Sequence, residues 1–331
     1  YFGIMADLTP PVALAAFAEP EWSALTPSST LRRWRLIEVG GGERLMSNPL
    51  RIDERVLHFL SGVSYLDERL QGLVEPCPAP GELPESQRVA VVRVAEAWSG
   101  NTQLGGVQVI QLCGNDAAGK RAVAAVACAA MGMQLRAVRT ADLPSGSSER
   151  DVLARLWERE ALLSDCALLL DEEDGAASES GRGIVSFIES AQAFLFVASR
   201  EPLRSRRRAI VRLEVNRPSA GEQKAIWRRA LGEAADQLNG NLDLVSTQFN
   251  LSLHSINAAS EEALRQWRHG PDREFGRVLW EACRRQSRRA RGSSDHHEMP
   301  SSAPLADPCV YSRRRPRLPV SRGDSWTTSL A

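Results

Sequence analysis

The chain is 331 residues long, 43% hydrophobic and 25% charged, with 41 basic and 41 acidic side chains. That composition belongs to a globular protein with room for more than one core. A net charge of zero removes any global electrostatic case for nucleic acid or a membrane surface, and no apolar run has the length of a bilayer-spanning helix.

The first residue is Tyr1 and not Met, so we expect the chain to open away from a natural start, with Met5 as a candidate initiator. Pro11 to Ala18 has the look of a short signal core. It lacks a basic flank and is preceded by Asp7, so it reads as the first helix of a domain. Over residues 10–75 the patterning predicts a small winged-helix-like α+β domain. Helices are expected over Val12 to Phe17 and Thr30 to Ile37, separated by the turn Pro27-Ser-Ser-Thr30. A hairpin follows, Leu36 to Val39 against Arg44 to Met46 around Gly40-Gly-Gly. Asp53 opens a helix Glu54 to Leu60, and Leu66 to Leu73 continues helically. Arg32, Arg33 and Arg35 around Trp34 could lie along a phosphate backbone. With no net charge, the favoured reading is a solvated basic face on a protein-docking domain.

Residues 76–85, Pro-rich, read as a stiff linker. From 86 to 217 the chain alternates. A helix covers Ser86 to Trp98, and strands are expected over Val107 to Cys113, Gln134 to Thr140, Cys166 to Leu170, Phe194 to Ala198 and Ala209 to Val215. Helices cover Ala122 to Ala130, Ser147 to Ser164 (capped by Ser147 or Ser148) and Ile184 to Ala193. Such alternation predicts a parallel sheet covered on both faces, with ligand at the carboxyl ends of the strands. Residues 218–290 turn wholly helical, with helices near 222–231, 243–249, 252–267 and 275–288, and read as a lid. Beyond them, 291–331 is Ser-, Arg- and Pro-rich without periodicity, expected to be a disordered basic tail or the product of a truncation or frame shift. His296-His297 in that tail does not amount to a metal site. The cysteines, at 77, 113, 128, 166, 283 and 309, show no Cys-x-x-Cys spacing and suit reduced thiols in a cytoplasm.

The chemistry concentrates in Gly114-Asn-Asp-Ala-Ala-Gly-Lys-Arg121, between the apolar strand and the Ala-rich helix. Strand, Gly-x4-Gly-Lys, helix is the phosphate-binding loop. Gly114 and Gly119 permit a tight turn whose N–H groups converge on phosphate oxygens, the helix adds its positive dipole end, and Lys120 reaches the β- and γ-phosphates. Lysine occurs only here and at Lys224, so the one ammonium in the loop stands out against an arginine-rich background. At the end of the third strand, Asp171 would hold Mg²⁺ and Glu172 would polarise an attacking water. Ser199, ending the fourth strand, could orient that water, or be an ordinary strand-ending serine. Among Arg204, Arg206, Arg207 and Arg208, one could reach a neighbouring subunit's phosphate, and Arg207 is taken as the candidate. The cofactors expected are therefore a nucleoside triphosphate, ATP or GTP, and Mg²⁺, held by Gly114, Asn115, Asp116, Ala117, Ala118, Gly119, Lys120, Arg121 and, for the metal, Asp171.

These motifs, with Phe196-Val-Ala-Ser199-Arg-Glu-Pro202 and Ile226-Trp227 in the lid, resemble an AAA+ ATPase of the P-loop NTPase class. More narrowly, residues 12–290 resemble the N-terminal half of bacterial tandem-AAA ATPases with a variant winged-helix domain. That likeness is carried by Leu31 to Glu38, Leu50-Arg-Ile-Asp-Glu-Arg-Val-Leu57, Leu66-Asp-Glu-Arg-Leu70 and Arg159-Glu-Ala-Leu-Leu163. The resemblance implies a P-loop sheet with a helical lid, a homo-oligomeric ring or a second AAA module as partner, and a first module that is often degenerate. Some members of that family accompany contractile, phage-tail-like injection systems. Position 121 departs from it, with Arg where Ser or Thr supplies a hydroxyl to Mg²⁺, so weak hydrolysis is expected. The competing expectation is a winged-helix nucleic-acid binder with a scaffold-only α/β domain.

Overall fold

The computed structural model describes residues 9–19, 21–40, 45–99, 107–172, 179–238, 241–268 and 274–292. The expected tail beyond Gly292, Cys309 and the acidic pair Glu173 and Asp174 lie outside them.

A six-stranded sheet organises the chain. Its strands are β3 (Glu75–Pro76), β4 (Val109–Cys113), β5 (Gln134–Arg139), β6 (Cys166–Asp171), β7 (Leu195–Ala198) and β8 (Ile210–Glu214), in the spatial order β3-β5-β6-β7-β4-β8. Every neighbouring pair is parallel except β3, which runs antiparallel to β5 at the edge. The central strands are near-continuous apolar runs because both of their faces are covered. Alternate residues go to opposite cores. Ile110, Leu112, Leu169 and Phe196 pack against α4 (Glu85–Ser99) and α5 (Ala117–Ala130). Leu168, Leu170, Leu195 and Val197 pack with Trp157 of α6 (Ser147–Ser164) and Phe187 of α7 (Glu179–Ser190).

The order creates a switch point. After β4 the chain crosses two strands to β5, whereas after β7 it crosses to β8 on the other side. Loops diverging from adjacent strands leave a crevice at their carboxyl ends. The loop that begins at Gly114 lies at that crevice.

A third core holds α8 (Ala220–Leu231), α9 (Asn241–Gln248), α10 (Leu253–Arg268) and α11 (Phe275–Gly292) around Trp227, Ile256 and Leu279. Ser219 and Glu222 form a capping box that starts α8. Glu222 also accepts from the Ser86 backbone N–H at 2.9 Å, which ties the start of this helical unit to the start of α4.

Local expectations shift in the N-terminal region. The first helix is α1 (Pro10–Ala15), and the predicted helix Thr30 to Ile37 is one turn, α2 (Thr30–Arg33), ended by Arg35 with φ of 51°. The hairpin strands are β1 (Ile37–Val39) and β2 (Leu50–Ile52), with Ile37 opposite Ile52. The return strand is therefore β2; of the expected Arg44 to Met46, Leu45–Ser47 is a 3₁₀ turn, while Arg44 and the expected turn glycines Gly41 and Gly42 lie outside the described residues. Helix α3 (Glu54–Leu60) begins as predicted, with Asp53 accepting from the Arg55 N–H at 3.1 Å. The expected helix Leu66 to Leu73 is only a 3₁₀ turn at Glu68–Leu70, and the Pro-rich stretch begins as the edge strand β3. An edge is where a proline costs no ladder bond. Helix α6 has Gly146 as its N-cap with no side-chain bond, in place of Ser147 or Ser148.

What joins the N-terminal region to the α/β unit is a buried set of charges. Arg55 grips Glu160 in two-pronged fashion, Nε to Oε2 at 3.0 Å and Nη2 to Oε1 at 2.9 Å, with both side chains fully buried. Arg159 meets Asp53 Oδ1 at 3.0 Å and Asp67 Oδ2, and donates to the Arg35 carbonyl at 2.7 Å. Arg69 bonds both Asp53 (2.6 Å) and Asp67 (2.7 Å). Arg55, Arg69 and Arg159 thereby balance Asp53, Asp67 and Glu160. Burial pushes the Asp67 carboxyl up, but the Arg69 hydrogen bonds and the Arg69 and Arg159 charges outweigh it and hold it below the usual range.

Candidate functional site

A cleft of about 540 Å³ opens where β4 and β6 end, within the size range of small-ligand pockets. The first turn of α5 (Ala117, Ala118, Gly119), Arg121, Asp171 and Glu172 form its floor and one wall. Cys77, Pro78 and Pro80 of the linker, Gln87 of α4, Ala122 of α5, and Leu253, His254 and Asn257 of α10 form the rest.

Helix α5 starts at Ala117, five residues earlier than the sequence suggests, because Asp116 caps it. Asp116 Oδ1 accepts from the Gly119 N–H at 3.0 Å and Oδ2 from Gln87 Nε2 at 2.9 Å. Burial raises the Asp116 carboxyl above the ordinary range, with those two hydrogen bonds opposing. Gly114 sits at φ +122°, and a Cβ there would lie 2.3 Å from the Val215 carbonyl oxygen. A Cβ on Gly119 would strike Asp116 and Gln87. Both glycines are therefore required by close approach. Asn115 is exposed and accepts from the Arg217 N–H at 3.3 Å.

Lys120 is almost fully buried, and its Nζ donates to the Gly114 carbonyl at 3.2 Å and the Ser199 carbonyl at 3.1 Å. These bonds span the crevice between the ends of β4 and β7. Ser199 is wholly buried, and its hydroxyl donates to the Glu201 carbonyl (3.0 Å) while accepting from Gln111 Nε2 (2.7 Å). Its side chain therefore serves the strand end, and its carbonyl faces the lysine. Glu172 is half-buried in the cleft wall.

The residues suit phosphate better than Mg²⁺. An N-terminal helical turn with an adjacent ammonium can take an anion. For the metal the donor set is wrong. Arg121 Nε donates to Asp171 Oδ2, and a guanidinium offers only N–H groups.

Arg207 does not line the cleft. It precedes β8 and so lies at the amino edge of the parallel sheet, roughly a 16 Å strand length from the Gly114 end. Its side chain is 78% exposed, 4.0 Å from Glu189. Arg208 beside it is structural: buried, donating to the carbonyls of Ile188, Ala191, Ala193 and Val107, and lowered to about 10 by that burial. Of the basic trio, Arg33 is exposed, Arg32 and Arg35 are half-buried, and Arg32 donates to the Leu25 carbonyl. The Cys128, Cys166 and Cys283 thiols are pushed up to about 12 by burial, and Cys77 and Cys113 are free as well. No helix of the described residues is long and apolar enough to cross a membrane.

Sequence reasoning missed Gln87, Gln111, His254 and Asn257. The last two could have been suspected only from a lid folding over the loop, a contact that periodicity does not encode.

Comparison with known families assigns two segments. Residues 219–289 match a family described as the contractile injection system ATPase helical domain. Residues 21–74 match the variant winged helix domain. No curated protein matches the chain. The first segment contains all of α8 through α10 and most of α11, so Leu253, His254 and Asn257 bring a helical unit similar to that of injection-system ATPases to the cleft.

Proposed function

We propose that the chain is an ATP-binding AAA+ module that couples nucleotide occupancy to assembly within a contractile injection complex in the cytoplasm, with weak hydrolysis at most. One observation carries this reading. The helical unit matched to an injection-system ATPase and the first turn of α5, with Arg121, are walls of the same cleft. A ligand between them would fix the lid against the sheet, and that position is what a neighbouring subunit or second module would sense.

In this reading the N–H groups of the first turn of α5 hold the phosphates, Lys120 braces the loop through its bonds to the Gly114 and Ser199 carbonyls, and Pro78, Pro80, Leu253 and Asn257 enclose the remainder of the nucleotide. Glu172 is the group positioned to polarise water. Arg207, at the far edge of the sheet, acts on the phosphate of an adjacent subunit in a ring. Ser199 contributes through its carbonyl grip on Lys120. The domain limits 10–75, 76–85, 86–217 and 218–290 belong to the same proposal.

Titration calorimetry of the full chain with ATP tests it. Saturable binding is expected, and Lys120→Ala should weaken it about 10- to 100-fold, the range of a charge-assisted hydrogen bond of roughly 1.5–3 kcal/mol. Absence of saturation up to millimolar ATP in folded protein would overturn the reading.

A further inference from the structure

We infer that the cleft takes its nucleotide without Mg²⁺, the Arg121 guanidinium clasped by Asp171 supplying the positive charge that a divalent ion brings elsewhere. The inference rests on the nucleotide reading above and concerns what balances the phosphate charge.

Arg121 follows Lys120 on the first turns of α5, and its Nε lies on Asp171 Oδ2. The two ends of this pair differ. Asp171 is 6% exposed at the end of β6, whereas the Arg121 side chain is 47% exposed and lines the cleft beside Ala117, Ala118 and Gly119. The carboxylate is thus spent inward and the cation is presented outward. With Nε on the carboxylate, the guanidinium keeps further N–H donors in the planar fork that matches phosphate oxygens.

A magnesium ion needs oxygen ligands at about 2.0–2.1 Å in near-octahedral array. Here it would share the Asp171 carboxylate with Arg121, stand beside a guanidinium as a dication, and find no hydroxyl at position 121. Lys120 cannot move over to compensate, since it is buried between the Gly114 and Ser199 carbonyls. Lys120 and Arg121 are consecutive, one holding the loop closed and the other facing the ligand. That division of labour replaces the usual lysine and metal.

The decisive experiment measures ATP and ADP binding to the full chain by calorimetry, once in EDTA and once in excess Mg²⁺. Wild-type affinities in the two buffers should agree within about twofold. Arg121→Ser should lose at least about tenfold in EDTA, the low end for a charged hydrogen bond, and regain part of it when Mg²⁺ is added. Arg121→Gln, of similar length and without charge, should show the same loss in EDTA and serves if the serine variant does not fold. Wild-type binding tenfold or more tighter in Mg²⁺, or variants unaffected in EDTA, overturns the inference while leaving nucleotide binding intact. Silence in both buffers is the distinct result that removes the nucleotide reading and this inference with it.

Discussion

The domain junction and the cleft both pair arginine with a buried carboxylate, and they use the same chemistry to opposite ends. At the junction of α3, the Glu68–Leu70 turn and α6, the core pairs have both partners buried, and each charge has an opposite within hydrogen-bond reach. At the cleft, only Asp171 is buried, and Arg121 stands half in solvent. The comparison teaches that exposure of the cation decides the role. A guanidinium closed in on every side fixes one domain against another, and its partner cannot be removed cheaply. A guanidinium anchored at one end still has donors to offer a ligand.

The largest expected effect comes from breaking the junction. Arg55→Ala would leave Glu160 charged and buried, and should cost about 3–5 kcal/mol in chemical denaturation. Arg55→Ala combined with Glu160→Ala should cost less than the sum of the two singles, because neither charge is then left alone. Additive losses would mean that the pair is not the unit.

Next comes the backbone of the cleft. Gly114→Ala forces a Cβ against the Val215 carbonyl at a φ that L-residues avoid, so a loss of about 1–3 kcal/mol is expected, together with weakened ATP binding. Denaturation and calorimetry on the same sample check both.

Acid titration of stability separates the two regions by sign. Asp67 has its folded pKa depressed, so its contribution is full above the unfolded value and is lost as pH falls through the folded one. Asp116 has its folded pKa raised, so it disfavours folding above that value and the penalty is relieved on acidification. Asp67→Asn should therefore flatten the acid-side loss of stability, and Asp116→Asn should steepen it. Matching curves for the two variants would show that the sites do not differ as described. The smallest effect is reserved for Arg207→Ala. Its exposure predicts a stability change within about 0.5 kcal/mol. Any loss of nucleotide turnover should then appear only in assembled oligomers, measured alongside sedimentation.

Much of the sheet could be read directly. Val109–Cys113, Cys166–Asp171 and Leu195–Ala198 are near-continuous apolar runs, interrupted only by Gln111 and the terminal Asp171, and a strand buried on both faces needs little more than that. The helical unit was legible for a similar reason, since the Trp227, Ile256 and Leu279 faces recur at helical spacing. The N-terminal region was less so. Its elements are of three to seven residues, too short for periodicity to set their bounds. The candidate site was half legible. Gly114, Gly119, Lys120, Arg121, Asp171 and Glu172 were named from spacing, while Pro78, Pro80, His254 and Asn257 come from segments far apart in the chain.

Sequence alone determined which residues carry charge, where the glycines permit the loop, and that position 121 holds no hydroxyl. Those properties are covalent and travel with the side chain. Only the tertiary structure decided whom each charge faces. Arg121 and Asp171 are fifty positions apart in the hydrogen-bonded pair, and Arg55 and Glu160 farther still. Electrostatic partnership depends on distance and burial in space, and the order of residues along the chain leaves both of them open until the sheet and its helices have packed.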